Sequence, residues 1–573
     1  MAHTRSTTTD VLVVGAGPVG LSAAAELARH GVRVRLVDRL SARLPYAKAV
    51  GIQPRTLEIW DRMGLARSVI EAATPIRGQL TYVNGDERPR IVLDVPPEVP
   101  YGFAALPQYE TERLLEQYLA GLGTRIERET ELLSFRQDAD GVTAELHSAS
   151  GGDEEIRVGH VVGCDGAHST VRKGLGLSFE GGAFPLGYML ADVETDWDLP
   201  PGFSVRSSHL AADGSVDDVL VCVPLPGSHR YRLSMPVPTR AAPADATAPS
   251  VPADGVSHGI TGGEGPSLSD IQAVVDRLAP APAVVSHLRW SSTFRISHRI
   301  VDRYGEGRVF VAGDAAHIHP PTGAQGMNTG IQDACNLAWK IALVVRGSAG
   351  PALLDTYDAE RRPVGEEVVG RTVRHAQHGV GSDPDSPRTQ ILREAQLLVG
   401  YRDGPLAGPA HGPRDAPQPG DRAPDCAGLT SPLAAYPFRL LDILRGTPGH
   451  VALLYLPDPG DPAVDQAVSA LASADGLAPT PLRAADFEGT GPRTLAVVAP
   501  RGAALADGAG TAVPAALPVP GYLDAAGEFA RLYRPEGPTC FIVRPDGQLG
   551  ARFGLADTPQ GLTRYLAALS GQA

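Results

Sequence analysis

Short segments rich in valine and other apolar residues end in a glycine-containing turn at three places along this chain. They cover residues 11–14, 156–164 and 308–313. Runs of this length and composition predict strands, and the continuously apolar first run predicts a buried strand of a parallel sheet. The chain is therefore expected to have an α/β fold.

The first run opens a strand, helix and strand unit. The pattern predicts a helix over residues 18–30, with Gly31 as its stop. Residues 32–38 then alternate as a second strand, which ends on Asp38. This spacing is typical of the βαβ unit that binds dinucleotides.

The turn between that strand and that helix has the sequence GAGPVG. Gly15 permits a tight turn, Gly17 lets the backbone approach a pyrophosphate, and Gly20 lets helix and strand pack closely. Asp38 is suited to accept hydrogen bonds from an adenosine ribose. The helix amino terminus presents free N–H groups to phosphate. Together these features predict a bound dinucleotide cofactor.

Two acidic turns follow the other two predicted strands. The carboxylate of Asp165 is expected to hydrogen-bond the phosphate region of a flavin, with Arg172 as a phosphate donor. The alternative for this pair is a surface Asp-Gly turn with a solvated arginine. Asp314 follows the third strand and is suited to accept a hydrogen bond from a ribityl hydroxyl. The three signatures, in this order, predict an FAD held along its whole length.

A glycine-rich turn at residues 320–328 precedes a long predicted helix that ends at Gly347. The helix amino terminus is expected at the flavin ring, where its positive dipole stabilises negative charge on the reduced flavin. Met327 and Asn328 are the expected ring contacts, mostly through their backbone. The apolar face of this helix consists of Ile331, Ala334, Cys335, Ala338, Ile341, Ala342 and Val345.

Composition and charge disfavour several classes of function. The chain has 573 residues, which predicts two or three domains, and a net charge of −14. That charge disfavours binding to nucleic acid or anionic membranes, and no apolar run reaches the roughly 20 residues of a membrane helix. Five separated cysteines without a C-x-x-C pair suggest neither a disulfide framework nor a metal site. Because the amino terminus is unlike an export signal, we expect a cytoplasmic protein.

The three signatures together resemble the FAD-dependent aromatic hydroxylases, the para-hydroxybenzoate hydroxylase-like monooxygenases. The resemblance covers roughly residues 8–385 and is carried by GAGPVG, CDGAHSTVR and GDAAHIHPPTGAQGMN. The last stretch is especially similar to actinomycete hydroxylases of aromatic polyketides. The family implies a Rossmann-like FAD-binding domain, an interleaved β-sheet substrate domain and a C-terminal thioredoxin-like domain.

The resemblance also implies roles for individual residues. Asp38 and Arg39 would hold the ADP half of FAD, Leu132 would lie against adenine, and Gln108 would reach the flavin side. Lys48 stands where many members carry arginine; it would meet a nucleotide phosphate without arginine's fork, or be a solvated loop charge. The expected cofactor residues are Gly15, Gly17, Pro18, Val19, Gly20, Asp38, Arg39, Lys48, Gln108, Leu132, Asp165, Arg172, Asp314, Pro320, Gly323, Gly326, Met327 and Asn328.

The chemistry that the family implies is hydroxylation of an aromatic ring. NADPH or NADH would reduce the flavin during a transient visit, since no second nucleotide fingerprint is found in the sequence. Dioxygen would then form a flavin hydroperoxide that transfers one oxygen to a phenolic, polycyclic substrate of polyketide type. No side chain is assigned as a catalyst, and His317 is expected to be structural. Candidates for a substrate pocket, or for plain core, are Phe103, Phe184, Tyr188, Met189 and Trp290.

The expected domains are interleaved along the chain. Residues 1–75, 101–180 and 295–385 form the FAD-binding domain, and 76–100 and 181–294 form the substrate sheet. Residues 404–424 form a linker, and 425–573 form a thioredoxin-like domain without redox cysteines. That last domain is expected to be structural or dimer-facing, so a homodimer is an expected assembly. Residues 240–267 are expected to be an excursion between strands, or a lid.

Other functions remain open on the sequence alone. A simple phenol or phenylpropionate hydroxylase and a Baeyer–Villiger oxygenase acting on a polyketide are the enzymatic alternatives. A flavin-bound protein that sequesters an aromatic ligand without turnover is the non-enzymatic one. Product analysis during aerobic NAD(P)H consumption separates these alternatives.

Overall fold

The computed structural model describes residues 9–45, 49–214, 216–237, 256, 258–260, 265–378, 384–474, 492–499 and 517–571. Lys48 and most of the excursion expected at 240–267 lie outside these described residues. The helices are α1 (Pro18–Arg29), α2 (Pro54–Met63), α3 (Ala66–Ala72), α4 (Gln108–Gly121), α5 (Thr170–Gly174), α6 (Leu268–Leu278), α7 (Gly326–Val345), α8 (Asp355–His378), α9 (Pro387–Glu394), α10 (Leu440–Leu444), α11 (Ala463–Ala472), α12 (Glu528–Tyr533) and α13 (Thr558–Leu569).

The strands follow in chain order. The first half of the chain contributes β1 (Thr9–Val14), β2 (Val34–Val37), β3 (Gly51–Ile52), β4 (Thr74–Ile76), β5 (Gly78–Val83), β6 (Asp86–Glu87), β7 (Ile91–Val92), β8 (Phe103–Ala105), β9 (Ile126–Glu127), β10 (Thr130–Gln137), β11 (Val142–Ser148), β12 (Gly152–Gly163), β13 (Phe179–Thr195), β14 (Phe203–Leu210), β15 (Val216–Pro224), β16 (Arg230–Pro236) and β17 (Gly259–Ile260). The remainder contributes β18 (Val285–Val301), β19 (Gly305–Glu306), β20 (Val309–Val311), β21 (His317–Ile318), β22 (Leu429–Thr430), β23 (Val451–Leu456), β24 (Arg493–Val498), β25 (Gly521–Asp524), β26 (Thr539–Val543) and β27 (Leu549–Gly554).

The first sheet has the strand order β10-β11-β12-β1-β2-β9, and β20 pairs with the other side of β12. β1 is parallel to both β2 and β12, and β12 is parallel to β20. Helices α1 and α7 pack against each other beside this sheet, and their apolar residues share one core with its strands. This is the Rossmann-like FAD-binding fold, with all three predicted strands side by side.

The predicted helix and second strand differ from the observed ones at their ends. Helix α1 ends at Arg29, and Gly31 takes a left-handed φ of +75°. Strand β2 begins only at Val34, because the amide of Val32 still donates to Leu27 at the end of the helix. The sequence prediction was thus two residues too long at the start of this strand.

The second sheet has the order β17-β18-β13-β16-β15-β14-β5-β6, with β7 beside β5 and β21 beside β18. Helix α6 covers one of its faces. Strand β18 is 17 residues long, and its end pairs with β21, which follows directly after the Asp314 turn. The second sheet therefore joins the first close to the third signature.

The third sheet, β22-β25-β24-β23-β26-β27, belongs to the C-terminal domain. Its centre is the parallel unit β23-α11-β24, followed by the antiparallel hairpin β26-β27 and then α13. This is a thioredoxin-like arrangement, as the resemblance implied for the C-terminal domain. Cys426 and Cys540 are both fully buried, each without a disulfide.

A buried group of charges, termed here the junction, connects this domain to the first one. It consists of Lys340 and Glu360 from α7 and α8 and of Arg544 and Asp546 from the C-terminal domain. Arg544 donates to Glu360 at 2.6 and 2.8 Å and to Asp546 at 2.5 Å, and Lys340 donates to Glu360 at 2.8 Å. Each of these charges is paired within the protein.

Residues 404–424 contain no helix or strand, yet they are packed between the domains. Leu406 lies in the core below α13, and Arg422 forms an ion pair with Glu58 of α2. Among the described residues, no helix is long and apolar enough to cross a membrane, and no cluster of side chains is arranged to hold a metal.

Candidate cofactor and active site

The three signatures meet at one edge of the first sheet. β1, β12 and β20 are adjacent and parallel, so their carboxyl ends point the same way. The amide of Cys164 donates to Val14 at 2.8 Å, and the amide of Ala312 donates to Gly163 at 2.9 Å. The turns that begin at Gly15, Cys164 and Gly313 therefore lie side by side; we call this place the cofactor edge.

The three glycines of the first turn are needed for different reasons. A Cβ on Gly15 would lie 2.4 Å from the carbonyl oxygen of Cys164, and one on Gly20 would lie 1.8 Å from that of Gly15. A Cβ on Gly17 would meet no protein atom within 4 Å. Protein packing thus explains Gly15 and Gly20 but not Gly17, whose bare backbone is left open to a ligand.

Helix α1 begins at this open backbone. Gly17 is its N-cap, Pro18 occupies the first turn, and no side chain caps the helix. The first N–H groups are therefore available to phosphate oxygens. Val19 faces inward instead, since a Cβ on Gly313 would lie 2.8 Å from its side chain. The side chain of Val19 thus packs between the first signature and the third.

Asp38 lies at the end of β2, beside the first turn. Its carboxylate accepts hydrogen bonds from the amides of Ala16 at 2.6 Å and Leu40 at 2.8 Å. The neighbouring Arg39 is exposed. Asp38 thus holds the glycine turn in place, and its predicted bond to a ribose stays a prediction.

Asp165 caps helix α5 with one oxygen and leaves the other unused. Its Oδ2 accepts from the amides of Thr170 at 2.7 Å and Val171 at 3.1 Å, while its buried Oδ1 has no hydrogen-bond partner. Burial raises the pKa of Asp165. A buried oxygen without a donor at the cofactor edge fits a ligand that supplies the donor.

Arg172 is not the solvated arginine of a surface turn. It is 2% exposed, donates to the carbonyl of Ala315 at 3.3 Å and lies 4.0 Å from the ring centroid of Phe179. This contact ties the second signature to the third. Its predicted role as a phosphate donor stays a prediction, because the contacts described here are to the protein.

Asp314 differs from the other acids at this edge because it is exposed. Within the described part of the chain its carboxylate makes no hydrogen bond or ion pair. Its turn is fixed from below by Asp333, which accepts from the amide of Gly313 at 3.2 Å. The carboxylate of Asp314 is thus held at the edge with its bonding capacity unused.

Asp333 is a site residue that the sequence did not reveal. It is fully buried between His317 Nε2 at 2.7 Å and Arg361 Nε at 2.8 Å. Burial opposes its ionisation, but Arg361 and His317 lower the pKa of Asp333 below its usual value. His317 therefore supports the Asp314 turn from inside the protein, as expected for a structural histidine.

The glycine-rich turn leads directly into α7. Pro320 is buried, Gly323 has φ +70°, and α7 begins at Gly326. Asn328 is fully buried, and its side chain bonds Gln53 N, Thr56 Oγ1, Gly51 O and Ala324 O at 2.8–3.0 Å. Only the backbone of Asn328 is therefore left for a flavin, and the half-buried Met327 lies beside it.

Residues beyond the predicted end of the FAD-binding domain hold this turn. Gln325 donates to Glu394 at 2.9 Å, and Gln396 donates to Gln325 at 2.7 Å and to Thr329 at 2.9 Å. Arg371 forms an ion pair with Glu394. No motif spacing marks residues 394–396, so sequence reasoning missed them.

Gln108 and Leu132 occupy two different environments. Gln108 starts α4, accepts from the amide of Ala49 at 3.4 Å and donates to Glu112 at 2.8 Å. Burial raises the pKa of Glu112 to about 7. Leu132 is 2% exposed and lies in the core, so its expected contact with adenine stays a prediction.

The candidate pocket residues divide between the two faces of the second sheet. Met189 is 1% exposed and packs in the core below α6, so it is core and not pocket. Phe184, Tyr188 and Trp290 pack together on the opposite face. Phe103 lies in a separate small core with Leu397. The open face of the sheet is therefore the one that carries Tyr188.

Comparison with known proteins agrees with this geometry. The family model described as "FAD binding domain" matches residues 8–372. The chain is 35% identical over 455 residues to a flavin-dependent monooxygenase of Mycobacteroides abscessus, covering 78% of this chain and 88% of that one. It is 40% identical over 372 residues to the 6-methylpretetramide 4-monooxygenase of Streptomyces rimosus, covering 63% of this chain and 60% of that one.

A solved structure is similar over nearly the whole chain. The ternary complex of aklavinone-11 hydroxylase with FAD and aklavinone has a TM-score of 0.71 at 25% identity, covering 98% of this chain and 99% of that one. The open backbone at Gly17, the unpaired oxygen of Asp165 and the exposed Asp314 fit a bound FAD.

Proposed function

The chain belongs to the FAD-dependent aromatic hydroxylases, and from this membership we propose that it uses NADPH or NADH and dioxygen to hydroxylate a phenolic, polycyclic substrate of polyketide type. It is an FAD-dependent monooxygenase. The observation that carries the proposal is the cofactor edge, where Gly17, Asp165 and Asp314 lie together with open or unused bonding positions. The cytoplasmic location and the homodimer stay predictions.

The polyketide type of substrate is supported by two relatives. One is named a 6-methylpretetramide 4-monooxygenase, and the other is aklavinone-11 hydroxylase, solved with FAD and aklavinone. The open face of the second sheet carries aromatic side chains, which suit a flat ring system. These observations favour a polycyclic substrate over a simple phenol.

FAD, when bound, supplies electron transfer from NAD(P)H to dioxygen and transfer of one oxygen atom to the ring. The chain's own residues position it and exclude water. The uncapped first turns of α1 and α7 present N–H groups at the cofactor edge and at the glycine-rich turn. These helix ends favour negative charge on the phosphates and on the reduced cofactor.

Labelled dioxygen tests the proposed reaction. With NADPH or NADH and a polycyclic phenol, we expect one labelled atom in the hydroxylated product and the other in water. With a substrate whose activating hydroxyl is methylated, the enzyme should oxidise NAD(P)H and reduce dioxygen to hydrogen peroxide without hydroxylating the ring, because the ring carbon is less electron-rich. Label inside a lactone ring would instead support the Baeyer–Villiger alternative. Tight aromatic binding without labelled product would support the sequestering protein.

A further inference from the structure

The four central strands of the second sheet have two unlike faces, because side chains alternate along each strand. On one face apolar side chains are buried against α6. This set includes Met189, Ala191, Val205, Leu220, Cys222, Leu233 and Met235. Residues of the other parity must therefore point to the opposite face.

The strand register aligns one residue from each of these four strands in a row across that opposite face. Leu190 of β13 is opposite Ser234, Ser234 is opposite Val221, and Val221 is opposite Arg206 of β14. Tyr188 lies two residues from Leu190 and so shares its face. Tyr188, Arg206, Val221 and Ser234 are each neither fully buried nor fully exposed. We call the side of the sheet that carries these four residues the Arg206 face.

The Arg206 face packs against the FAD-binding part of the molecule. Val223, on the same face as Val221, packs with Val50 and Ala105. Val50 follows Ala49, whose amide donates to Gln108, the residue expected on the flavin side. The Arg206 face therefore borders, at Val223, the segment that leads to Gln108.

Arg206 places a positive charge on this face of the sheet. Within the described residues its guanidinium makes no hydrogen bond and no ion pair. Burial lowers the pKa of Arg206, and Tyr188 is the one group that opposes this shift. A partly desolvated charge without a partner is costly, which favours a ligand that supplies the opposite charge.

A second arginine on the same face, Arg232, has its charge neutralised by a carboxylate of the protein. Arg232 is 3% exposed and donates to both oxygens of Asp192, at 2.5 and 2.8 Å. Its guanidinium also lies 4.9 Å from the ring centroid of Trp290. Asp192 neutralises Arg232, whereas no carboxylate of the described residues pairs with Arg206.

We infer that Arg206, on the face of the sheet that also carries Tyr188, binds an anionic oxygen of the aromatic substrate. The inference rests on the proposed function and narrows it to substrates with an acidic oxygen, either an enolate or phenolate or a carboxylate. The planar guanidinium offers paired N–H donors to such an oxygen. The ring of Tyr188, whose centroid lies 5.7 Å from that of Phe294, offers an aromatic surface for the substrate ring.

Calorimetric binding to the oxidised, FAD-loaded protein tests this inference without any reductant. Two matched pairs of probes separate the sources of the charge. The first pair is 2-hydroxy-1,4-naphthoquinone, an enolate at neutral pH, and its neutral 2-methoxy ether. The second pair is 3-hydroxy-2-naphthoate and its methyl ester. We expect at least one anion to bind at least tenfold more tightly than its neutral partner.

Substitutions then assign the preference to Arg206. Arg206→Gln should remove the preference for the anion, and Arg206→Lys should keep part of it, because lysine keeps the charge but loses the fork. Arg88→Gln is the matched control, since Arg88 is exposed on the same domain and its loss changes the net charge equally. FAD content and melting temperature confirm that each variant is folded.

The outcomes are decisive and separate from the test of the proposed function. Equal affinity for anionic and neutral probes, or no measurable binding of either anion, overturns the inference. So does an anion preference that survives in Arg206→Gln. Oxygen labelling of a product by the unmodified enzyme would in that case leave the monooxygenase proposal standing. A missing labelled product, together with an Arg206-dependent anion preference, would support the inference about Arg206 and contradict the monooxygenase proposal.

Discussion

The cofactor edge and the junction are both polar regions inside the molecule, but their bonding is opposite. At the junction, Lys340, Glu360, Arg544 and Asp546 satisfy one another, and all four are buried. At the cofactor edge, Gly17 faces open space and Asp165 Oδ1 has no donor. The comparison teaches that unused hydrogen-bonding capacity, and not polarity as such, distinguishes a ligand site from a structural network. Substitutions should therefore affect stability at the junction and FAD affinity at the edge.

The largest expected effect is at the junction. Glu360→Gln leaves Arg544 and Lys340 without their shared carboxylate, and breaking a buried ion pair costs about 3–5 kcal/mol. We expect the free energy of unfolding, measured with urea, to fall by that amount. Glu366→Gln on the same helix is the control, because its pair with Arg362 is exposed and contributes at most about 0.5 kcal/mol. An equal fall in the free energy of unfolding for both substitutions would contradict the structural role assigned to the junction.

Gly17→Val should act on the cofactor and spare the fold. The added side chain meets no protein atom within 4 Å, but it occupies the space left for the pyrophosphate. We expect FAD to bind at least about 100-fold more weakly, roughly 2.8 kcal/mol, in a fluorescence titration. Gly121→Val, at another position with open space, is the control and should keep FAD. Full flavin occupancy in Gly17→Val would contradict the assignment of the edge.

Asp314→Ala and Asp333→Ala test the same turn from its two sides. Asp314 is exposed and unpaired among the described residues, so its loss should weaken FAD binding about tenfold with little change in melting temperature. Asp333→Ala leaves Arg361 without its carboxylate and the amide of Gly313 without its acceptor, and it should lower the melting temperature clearly. The reverse pattern would show that Asp314 is structural.

The smallest effect concerns the pH dependence of stability near Gln108. Burial raises the pKa of Glu112 from 4.5 to about 7, so the folded state binds more protons than the unfolded state between these values. Stability must then fall as the pH rises from about 4.5 to 7 and stay lowered above pH 7. At pH 8 we expect Glu112→Gln to be more stable by an amount on the order of 1 kcal/mol. If the free energy of unfolding has the same pH dependence in the unmodified protein and in Glu112→Gln, the raised pKa of Glu112 is contradicted.

The sequence predicted the parts of the cofactor edge that follow local rules. A strand, a glycine turn and a helix form a contiguous unit, so GAGPVG and Asp38 were found where the structure has them. Asp333 was missed because it lies within an apolar helical pattern, and its partners His317 and Arg361 come from other elements. Such contacts depend on tertiary packing, which no spacing rule records.

The open face of the second sheet was less predictable for a related reason. The sequence predicted a sheet within residues 181–294, and β14, β15 and β16 lie there. No sequence pattern gives the position of Arg206 opposite Val221, because that position depends on the pairing register of β14 and β15. Register follows from how whole strands align, so an unpaired charge on one face becomes visible only in the folded sheet.

The parallel pairing of β12 with β20 also has a consequence for the order of folding. Most strands of the second sheet, β13 to β18, are inserted in the chain between these two neighbouring strands. Closing such a long loop costs entropy before the pairing can stabilise anything, and non-local parallel contacts form slowly. The turn with Asp314 should therefore reach its place beside the other two signatures late in folding. A newly made chain would acquire its flavin as one of its last steps, and the supply of FAD would then influence how much of it escapes misfolding.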